Sequence, residues 1–364
     1  TTSGPDSPGE LLAVGDLIRI TPREGEDGAA PSWQLAQVPA AQAALLSLDP
    51  RDGAIVSLVG GSDFALTKFN RATQAQRQPG SNFKPFLYSA AFDAGFSAAS
   101  IINDAPIVME DSSLEGVWRP ENDGGRFLGP TRLRNALTRS RNLVSIRLLQ
   151  ELGVRRLIDY VSQLGFDTSD FAPDLSLALG THAMSPLEIV TGYAILANGG
   201  YRVEPYLIDR IENLAGEVVF EAQPPTVCRA CDGESPMAAS GELSMEEILR
   251  GGEAAGLPPA KRVMDERVHF VIDSILLDVV KRGTGRRALV LERDDIAGKT
   301  GTTNGPVDAW FSGYNPDVVT TTWVGFDDYS PLGRREFGGT AALPIWISYM
   351  REALDGVPER TREL

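Results

Sequence analysis

The sequence predicts an α/β fold of the α+β type, with a five-stranded antiparallel sheet flanked by helices and interrupted by an inserted, mostly helical subdomain. Two apolar runs, at residues 44–48 and 54–59, surround the turn-forming sequence Asp49-Pro50-Arg51-Asp52-Gly53 and predict an early hairpin. Residues 81 to about 198 have helical patterning. Three further strands are predicted late in the chain, at residues 296–303, 308–314 and 318–326. Early and late strands share one sheet if the helical block is an insertion.

The first 39 residues predict a truncated small β element. Apolar runs at residues 17–20 and 33–38 flank a polar stretch rich in Gly, Glu and Pro, as two strands flank a loop. We therefore expect two domains, residues 1–39 and residues 40–364. A polar, acidic segment at about 222–260 predicts a mobile excursion from the second domain.

The remaining helices and strands are predicted from capping residues and from apolar patterning. Ser185, Pro186 and Glu188 are placed as N-cap, first helical residue and partner of a capping box, and Gly199 follows that helix. Residues 206–208 and 218–220 predict another hairpin. Helices are expected at about 265–281 and 345–354.

Composition restricts the class of protein. The chain has 364 residues, of which 42% are hydrophobic and 23% charged, as in ordinary globular proteins. Its net charge of -15, without a clustered basic stretch, argues against a nucleic-acid partner. No apolar run reaches the length of about 18 residues that a membrane helix needs. Because the chain begins without Met, we expect a fragment of a longer protein, so a membrane anchor would lie in a missing N-terminal segment.

Cys228 and Cys231 form a Cys-x-x-Cys pair in a loop of Pro, Gly, Ser and Glu. A redox motif would begin a helix of a thioredoxin-like unit, and a zinc site needs two more ligands. His182 and His269 have no ligand-like spacing to the pair. A structural disulfide or unreactive thiols are favoured over a metal site, and a metal site over redox catalysis. We expect neither a metal nor a cofactor.

The motif that first suggests chemistry is Ser81-Asn82-Phe83-Lys84, after the structure-breaking pair Pro79-Gly80. A helix beginning at Ser81 would place Lys84 on the same face, where its amine could activate the serine hydroxyl as a nucleophile. The amine can do so only if its pKa falls well below about 10.4, which burial and nearby positive charge both favour. Alone, the pattern strongly favours an N-cap serine and a surface lysine over a catalytic pair.

Two other motifs follow. Ser140-Arg141-Asn142 lies between two helical stretches and, alone, could merely cap a helix. Lys299-Thr300-Gly301-Thr302-Thr303 lies on a predicted strand, where the glycine indicates a bulge or a close backbone approach. Alone, this strand could be a polar sheet edge. In this order, and on these elements, the three motifs can line one cleft.

The combination resembles the penicillin-binding and serine β-lactamase superfamily. The resemblance extends beyond the motifs, over residues 40 to 355. It is closest to the transpeptidase region of the class A, bifunctional penicillin-binding proteins. The runs that carry it are residues 76–86, Trp118-Arg119-Pro120-Glu121-Asn122, Leu177-Ala178-Leu179-Gly180, residues 297–304 and residues 308–314. Residues 222–260 lie outside it.

The resemblance implies a role for each motif residue. Ser81 is the expected nucleophile, Lys84 its proton acceptor and Ser140 a proton relay to the leaving group. Asn142 positions the substrate amide, Lys299 tunes the electrostatics, and the backbone N–H groups of Ser81 and Thr302 form the oxyanion hole. The expected substrate-binding residues are Thr300, Gly301, Thr302, Thr303 and Trp118.

The family's activity is expected here as well. Such enzymes cross-link peptidoglycan stem peptides ending in D-alanyl-D-alanine, through an acyl-enzyme that β-lactam antibiotics block. They act on the periplasmic side of the bacterial inner membrane and carry a glycosyltransferase domain and a membrane anchor, both absent from this sequence. The resemblance does not identify a regulatory protein partner. The first 39 residues are similar to the remnant of a small, OB-like barrel inserted in some members. A DD-carboxypeptidase or a serine β-lactamase shares the motifs and remains an alternative.

Overall fold

The computed structural model describes residues 7–23, 32–111, 116–232, 257–303 and 305–360. The chain divides into two units, Thr1–Ala40 and Ala41–Leu364. The first unit contains an antiparallel hairpin of β1 (Arg19–Arg23) and β2 (Ser32–Ala36). That this hairpin is the remnant of an OB-like domain stays a prediction.

The strands of the second unit are partly members of one large sheet and partly short pairs. In chain order they are β3 (Gln42–Leu48), β4 (Ile55–Val59), β5 (Ile101–Asp104), β6 (Met109–Asp111), β7 (Gly116–Trp118), β8 (Gly129–Arg132), β9 (Tyr201–Arg202), β10 (Arg210–Glu212), β11 (Val218–Glu221), β12 (Lys261–Arg262), β13 (Ala297–Thr302), β14 (Asp308–Tyr314) and β15 (Val319–Gly325).

Five of these strands form one antiparallel sheet in the order β13-β14-β15-β3-β4. The late strands join the early ones where β15 pairs with β3, with Val319 opposite Leu48. The predicted turn closes the early hairpin, because the Asp49 backbone N–H donates to the Ala54 carbonyl at 2.9 Å. The predicted five-stranded sheet is thus confirmed, and β13 is one of its two edges.

Helices cover the sheet and build the inserted block. They are α1 (Arg71–Gln74), α2 (Lys84–Asp93), α3 (Leu133–Thr138), α4 (Asn142–Leu152), α5 (Val154–Leu164), α6 (Pro186–Asn198), α7 (Glu266–Arg282) and α8 (Leu343–Ala353). The Ser185–Glu188 capping box is present at the start of α6, as predicted. Nine of the ten residues of α2 are buried, so this helix lies inside the core rather than on it. None of the helices in the described ranges is long and apolar enough to span a membrane.

The hairpin predicted from residues 206–208 and 218–220 is present, but its first strand was placed wrongly. The strand that pairs with β11 is Arg210–Glu212, a few residues later. The Tyr206 backbone instead joins the early turn, accepting from Ile55 N–H at 2.8 Å and donating to the Gly53 carbonyl at 3.2 Å. These tertiary hydrogen bonds prevail over the local strand preference.

Of the predicted excursion at 222–260, residues 233–256 lie outside the described residues. Its two described ends are joined to each other, since Thr226 N–H donates to the Pro258 carbonyl at 2.9 Å. The first of them is also bound to the early turn, since Val227 N–H donates to the Arg51 carbonyl at 2.8 Å. Cys228 and Cys231 are joined in a disulfide. The structure therefore agrees with the structural-disulfide interpretation of the Cys-x-x-Cys pair.

Candidate active site

Ser81 lies in a 3-10 turn, Gly80–Phe83, that leads directly into α2. The α-helix begins at Lys84 rather than at Ser81, where it was predicted, and Pro85 occupies its first turn. Gly80 has a φ of +56°, and a Cβ there would lie 2.5 Å from the Thr302 carbonyl oxygen. The turn therefore needs glycine, because only glycine combines this conformation with such a close approach to β13.

The side chain of Asn82 anchors the 3-10 turn Gly80–Phe83 to the sheet and to α6. Its buried side chain donates to Ser312 Oγ on β14 at 2.7 Å. The Tyr193 hydroxyl, on α6, is 2.8 Å from both the Asn82 carbonyl oxygen and Asn82 Oδ1. Sheet and helix thus hold the residue after the nucleophile. Sequence reasoning missed this role, because the motif was interpreted through Ser81 and Lys84 alone and Tyr193 lies 111 residues from Asn82.

Lys84 is fully buried and points at the second motif. Its Nζ donates to Asn142 Oδ1 at 2.6 Å and to the Ser140 carbonyl at 3.0 Å, with Ser140 Oγ at 3.4 Å. Burial, and next the positive charge of Lys299, hold the pKa of Lys84 well below its usual value. Among the described residues, no side chain hydrogen-bonds the Ser81 hydroxyl, so the expected Ser81–Lys84 bond is not formed in this arrangement.

Ser140 joins the three motifs. It connects α3 to α4 with a φ of +57°, an uncommon backbone conformation for a residue other than glycine. Its hydroxyl accepts from Lys299 Nζ at 2.9 Å and lies within reach of Lys84. The side chains of Lys84 and Lys299 therefore approach one hydroxyl from two different elements, a helix and a strand.

A buried polar network holds the second motif in place. Asn142 N–H donates to Asn122 Oδ1 at 2.9 Å, and Asn122 Nδ2 donates to Asp104 Oδ1 at 2.6 Å. Arg141 binds the other oxygen of Asp104 at 2.8 Å. Asp104 and its role were not predicted. The signal in the sequence that could have indicated this network is the run Trp118-Arg119-Pro120-Glu121-Asn122, which resembles the family and ends at Asn122.

Lys299 lies on the edge strand β13 and is fully buried. Its Nζ also donates to the Thr300 carbonyl at 2.8 Å, and burial lowers its pKa to about 7. The threonine hydroxyl groups that follow Lys299 are hydrogen-bonded. Thr300 Oγ1 lies 2.6 Å from Thr284 Oγ1, and Thr302 Oγ1 accepts from Gly338 N–H at 3.0 Å. Hydroxyl groups held in this way keep a fixed orientation toward a ligand.

Gly301 and Thr303 have structural partners. A Cβ at Gly301 would lie 2.4 Å from the Pro79 carbonyl oxygen, so this glycine allows the nucleophile turn to contact β13, as the glycine in the strand predicted. Thr303 Oγ1 accepts from Asp308 N–H at 2.9 Å and from Val307 N–H at 3.3 Å, which closes the β13–β14 connection.

One cavity of about 880 Å³ lies over these residues. The predicted residues that line it are Ser81, Trp118, Ser140, Asn142, Thr300, Thr302 and Thr303. Lys84 and Lys299 lie behind the cavity wall, buried against Ser140. Within the described ranges no group of three or more His, Cys, Asp or Glu side chains could hold a metal ion. The cavity therefore offers a hydroxyl nucleophile and a row of hydroxyl groups, with two buried amines of lowered pKa directly behind its wall.

Known proteins are similar to this chain over nearly its whole length. Residues 43–330 match the penicillin binding protein transpeptidase domain. Penicillin-binding protein 1A of Pseudomonas aeruginosa is 52% identical over 98% of this chain and 45% of its own length, and that of Vibrio cholerae is 40% identical over 97% and 44%. The chain thus spans less than half of these relatives.

Solved structures give the same result. Penicillin-binding protein 1A from Haemophilus influenzae superposes with a TM-score of 0.84 at 37% identity, over 95% of this chain and 52% of that one. The PonA1 protein of Mycobacterium tuberculosis in complex with penicillin V shares the fold, with a TM-score of 0.70 at 24% identity. With its three motifs gathered around one cavity, this chain belongs to the penicillin-binding protein transpeptidase domain family.

Proposed function

We propose that this chain cross-links peptidoglycan as a serine DD-transpeptidase, with Ser81 as nucleophile. The observation that carries the proposal is the contact of three motifs at one hydroxyl, where Lys84 and Lys299 both reach Ser140 Oγ. Enzymes of this kind need an activated serine, a proton path to the leaving amine and a site for a terminal carboxylate. The cavity supplies a residue for each need.

In the proposed first step, Lys84 takes the Ser81 hydroxyl proton while Ser81 Oγ bonds to the carbonyl carbon of the penultimate D-alanine. A lysine can accept this proton only when uncharged, and burial, which lowers the pKa of Lys84 well below its usual value, favours that state. The backbone N–H groups of Ser81 and Thr302 would stabilise the oxyanion. The 3-10 turn packs against β13 and brings these two residues to the same cavity.

The C–N bond to the terminal D-alanine then breaks, and its amine takes a proton through Ser140. The hydrogen bond from Lys299 orients the Ser140 hydroxyl for this relay. In the second half-reaction an acceptor amine attacks the ester carbon, Ser81 Oγ leaves, and the ammonium proton returns to it by the same route. The outcome is a new amide and a free Ser81 hydroxyl.

The substrate would lie along β13, whose outer edge is unpaired within the described sheet. An extended peptide can add to such an edge as an extra strand. Thr300 and Thr302 would then bind the terminal carboxylate, Asn142 the peptide amide, and Trp118 would cover the opposite rim. A β-lactam would occupy the same positions and acylate Ser81.

The wider protein is a further part of the proposal. Because the chain covers less than half of its penicillin-binding protein 1A relatives, we infer that the complete protein also has a glycosyltransferase domain and a membrane anchor. Its place would be the periplasmic side of the inner membrane, where the expected substrate is found.

The test is the intact mass after incubation with benzylpenicillin. One adduct per chain is expected, located on the peptide that contains Ser81, and none in Ser81→Ala. Lys84→Met should still bind the drug but acylate about 10²- to 10⁴-fold more slowly, as expected when a general base is lost. An adduct on Ser81→Ala would show that another residue is the nucleophile.

A further inference from the structure

Thr284 lines the same cavity as the hydroxyl groups proposed to bind the terminal carboxylate, although it belongs to none of the three motifs. It lies in the connection after α7, where the N–H groups of Gly283 and Gly285 both donate to the Val279 carbonyl, at 3.1 and 3.0 Å. The connection also lies against α3, because a Cβ at Gly283 would be 2.3 Å from the Thr138 carbonyl oxygen. The backbone on both sides of Thr284 is therefore held in place.

The Thr284 side chain is paired with that of Thr300 on β13. Their Oγ1 atoms lie 2.6 Å apart, and either hydroxyl can be the donor. Neither Oγ1 has another hydrogen-bond partner among the described residues. Each hydroxyl has one hydrogen, so the bond between them uses one hydrogen and leaves the other for a ligand in the cavity. Thr300 is only 8% exposed, whereas Thr284 is exposed, so Thr284 is the more accessible member of the pair.

Thr302 presents a hydrogen in the same way. Its Oγ1 accepts from Gly338 N–H at 3.0 Å, which leaves the hydroxyl hydrogen for a ligand. Residues two apart on a strand lie on the same face, about 7 Å apart, so Thr300 and Thr302 are neighbours on β13. A Cβ at Gly339 would lie 3.4 Å from the Thr284 carbonyl oxygen and 3.8 Å from Thr300 Cγ2. One short segment thus contacts all three threonines.

A carboxylate is the ligand that these hydroxyl groups fit. It only accepts hydrogen bonds, and its two oxygens can accept from two donors at once. A hydrogen bond to an ionised acceptor is shorter and stronger than one between neutral groups. A ligand that only donates, such as an ammonium group, would leave both available hydrogens unused.

We propose that Thr284 is a specificity-determining residue of the carboxylate site, acting with Thr300 as one hydrogen-bond donor toward the terminal carboxylate of the substrate. The inference rests on the proposed transpeptidase function and deepens it. One hydroxyl of the pair donates to the other, and the remaining hydrogen is donated to one carboxylate oxygen. Thr302 donates to the second oxygen. This contact makes and breaks no covalent bond; it selects substrates that end in a free carboxylate.

The experiment compares two thioester substrates that differ only in this carboxylate. The full chain is given N-benzoyl-D-alanyl-thioglycolate or its methyl ester, and kcat/KM is measured for each. The ratio of the two values reports recognition of the carboxylate, whereas a loss of fold or of Ser81 reactivity lowers both values together. The wild type should prefer the free carboxylate.

Thr284→Val keeps the branched shape of the side chain and removes the hydroxyl. It should lower the ratio about tenfold, the lower limit for a hydrogen bond to a charged group, because Thr300 keeps its hydrogen but loses the partner that orients it. Thr284→Ser retains the hydroxyl and should stay within about twofold of the wild-type ratio, as for a surface substitution that removes no contact.

A double variant tests whether the two hydroxyl groups act as one donor. Thr300→Val should also lower the ratio about tenfold. Thr284→Val/Thr300→Val should lose about tenfold as well, because the second substitution removes a contact that the first has already disabled. A loss of about a hundredfold would mean two independent contacts and would overturn the shared donor.

Thr181→Val is the matched control. Thr181 lines the same cavity, and its Oγ1 lies 2.7 Å from Ser176 Oγ, but it belongs to the connection before α6 rather than to the carboxylate site. Its substitution should leave the ratio at the wild-type value.

Three outcomes would overturn the role of Thr284: an unchanged ratio in Thr284→Val, an equal loss of the ratio in Thr181→Val, or no preference in the wild type. Benzylpenicillin labelling of Ser81 in the same preparations tests the proposed function separately. Absence of label in the wild type would reject the transpeptidase assignment, whereas normal labelling with an unchanged ratio would reject the role of Thr284 alone.

Discussion

Replacing Lys299 by Met should change how the stability of the domain depends on pH. Lys299 is fully buried, and burial lowers its pKa from 10.5 to about 7. Folding therefore disfavours the protonated amine, which the unfolded chain retains up to a pH near 10.5. Methionine has a similar shape and no charge, so the substitution removes this titration with little change in packing.

The sign follows from the lowered pKa. Below pH 7 both states bind the proton, and the native state bears the full cost of the buried charge. As pH rises from about 7 to 10.5 the native amine is already neutral, so the unfolded state binds more protons and the free energy of unfolding increases with pH. Between pH 7 and pH 9 this one group should raise the free energy of unfolding by about 2 kcal/mol.

Urea unfolding at pH 7, 8 and 9 checks the prediction. The wild type should gain about 2 kcal/mol over this range relative to Lys299→Met. Lys261→Met, which replaces an exposed lysine on β12, should retain the wild-type dependence. Parallel curves for wild type and Lys299→Met would refute the reasoning, because they would mean that burial does not displace the Lys299 pKa.

Three other predictions concern the geometry of the site. Gly180→Ala should destabilise the domain by about 2–4 kcal/mol in thermal unfolding, because a non-glycine residue is strained at its φ of +69° and a Cβ would lie 2.1 Å from the Gly80 carbonyl oxygen. Thr302→Val should slow acylation by carboxylate-bearing β-lactams far more than it lowers the melting temperature; equal losses would indicate a purely structural residue. The penicillin adduct should persist for minutes to hours after free drug is removed, a barrier of about 20–24 kcal/mol, since the carboxylates that follow Asn142 in the sequence, Glu151, Asp159, Asp170 and Asp174, do not line the cavity. Return of the free enzyme mass within seconds would favour a β-lactamase.

The sequence predicts the sheet and the three motifs well, because these depend on local signals: strand periodicity, turn residues and short patterns. It does not predict side chains brought together from distant positions. The Asp104–Asn122–Arg141 network joins residues of several elements. Helical spacing indicated that Lys84 can reach Ser81, yet the stronger acceptor, Asn142 Oδ1, holds its amine in this structure.

The catalytic arrangement opposes stability, so the surrounding structure must hold it. Lys84 and Lys299 are buried without an ion pair to any carboxylate of the described residues, and Ser140 adopts a left-handed conformation. Each of these features costs free energy. The turn that carries Ser81 is held by a buried ion pair, in which Arg77 Nε binds Asp308 Oδ1 at 2.7 Å. Trp323 donates to the same oxygen at 2.9 Å, so one carboxylate joins the nucleophile segment to two strands of the sheet. Breaking such a pair typically costs about 3–5 kcal/mol. A loss at Asp308 would therefore move Ser81 and destabilise the fold together, whereas a loss at Lys299 should separate the two effects, removing activity while relieving a cost to stability.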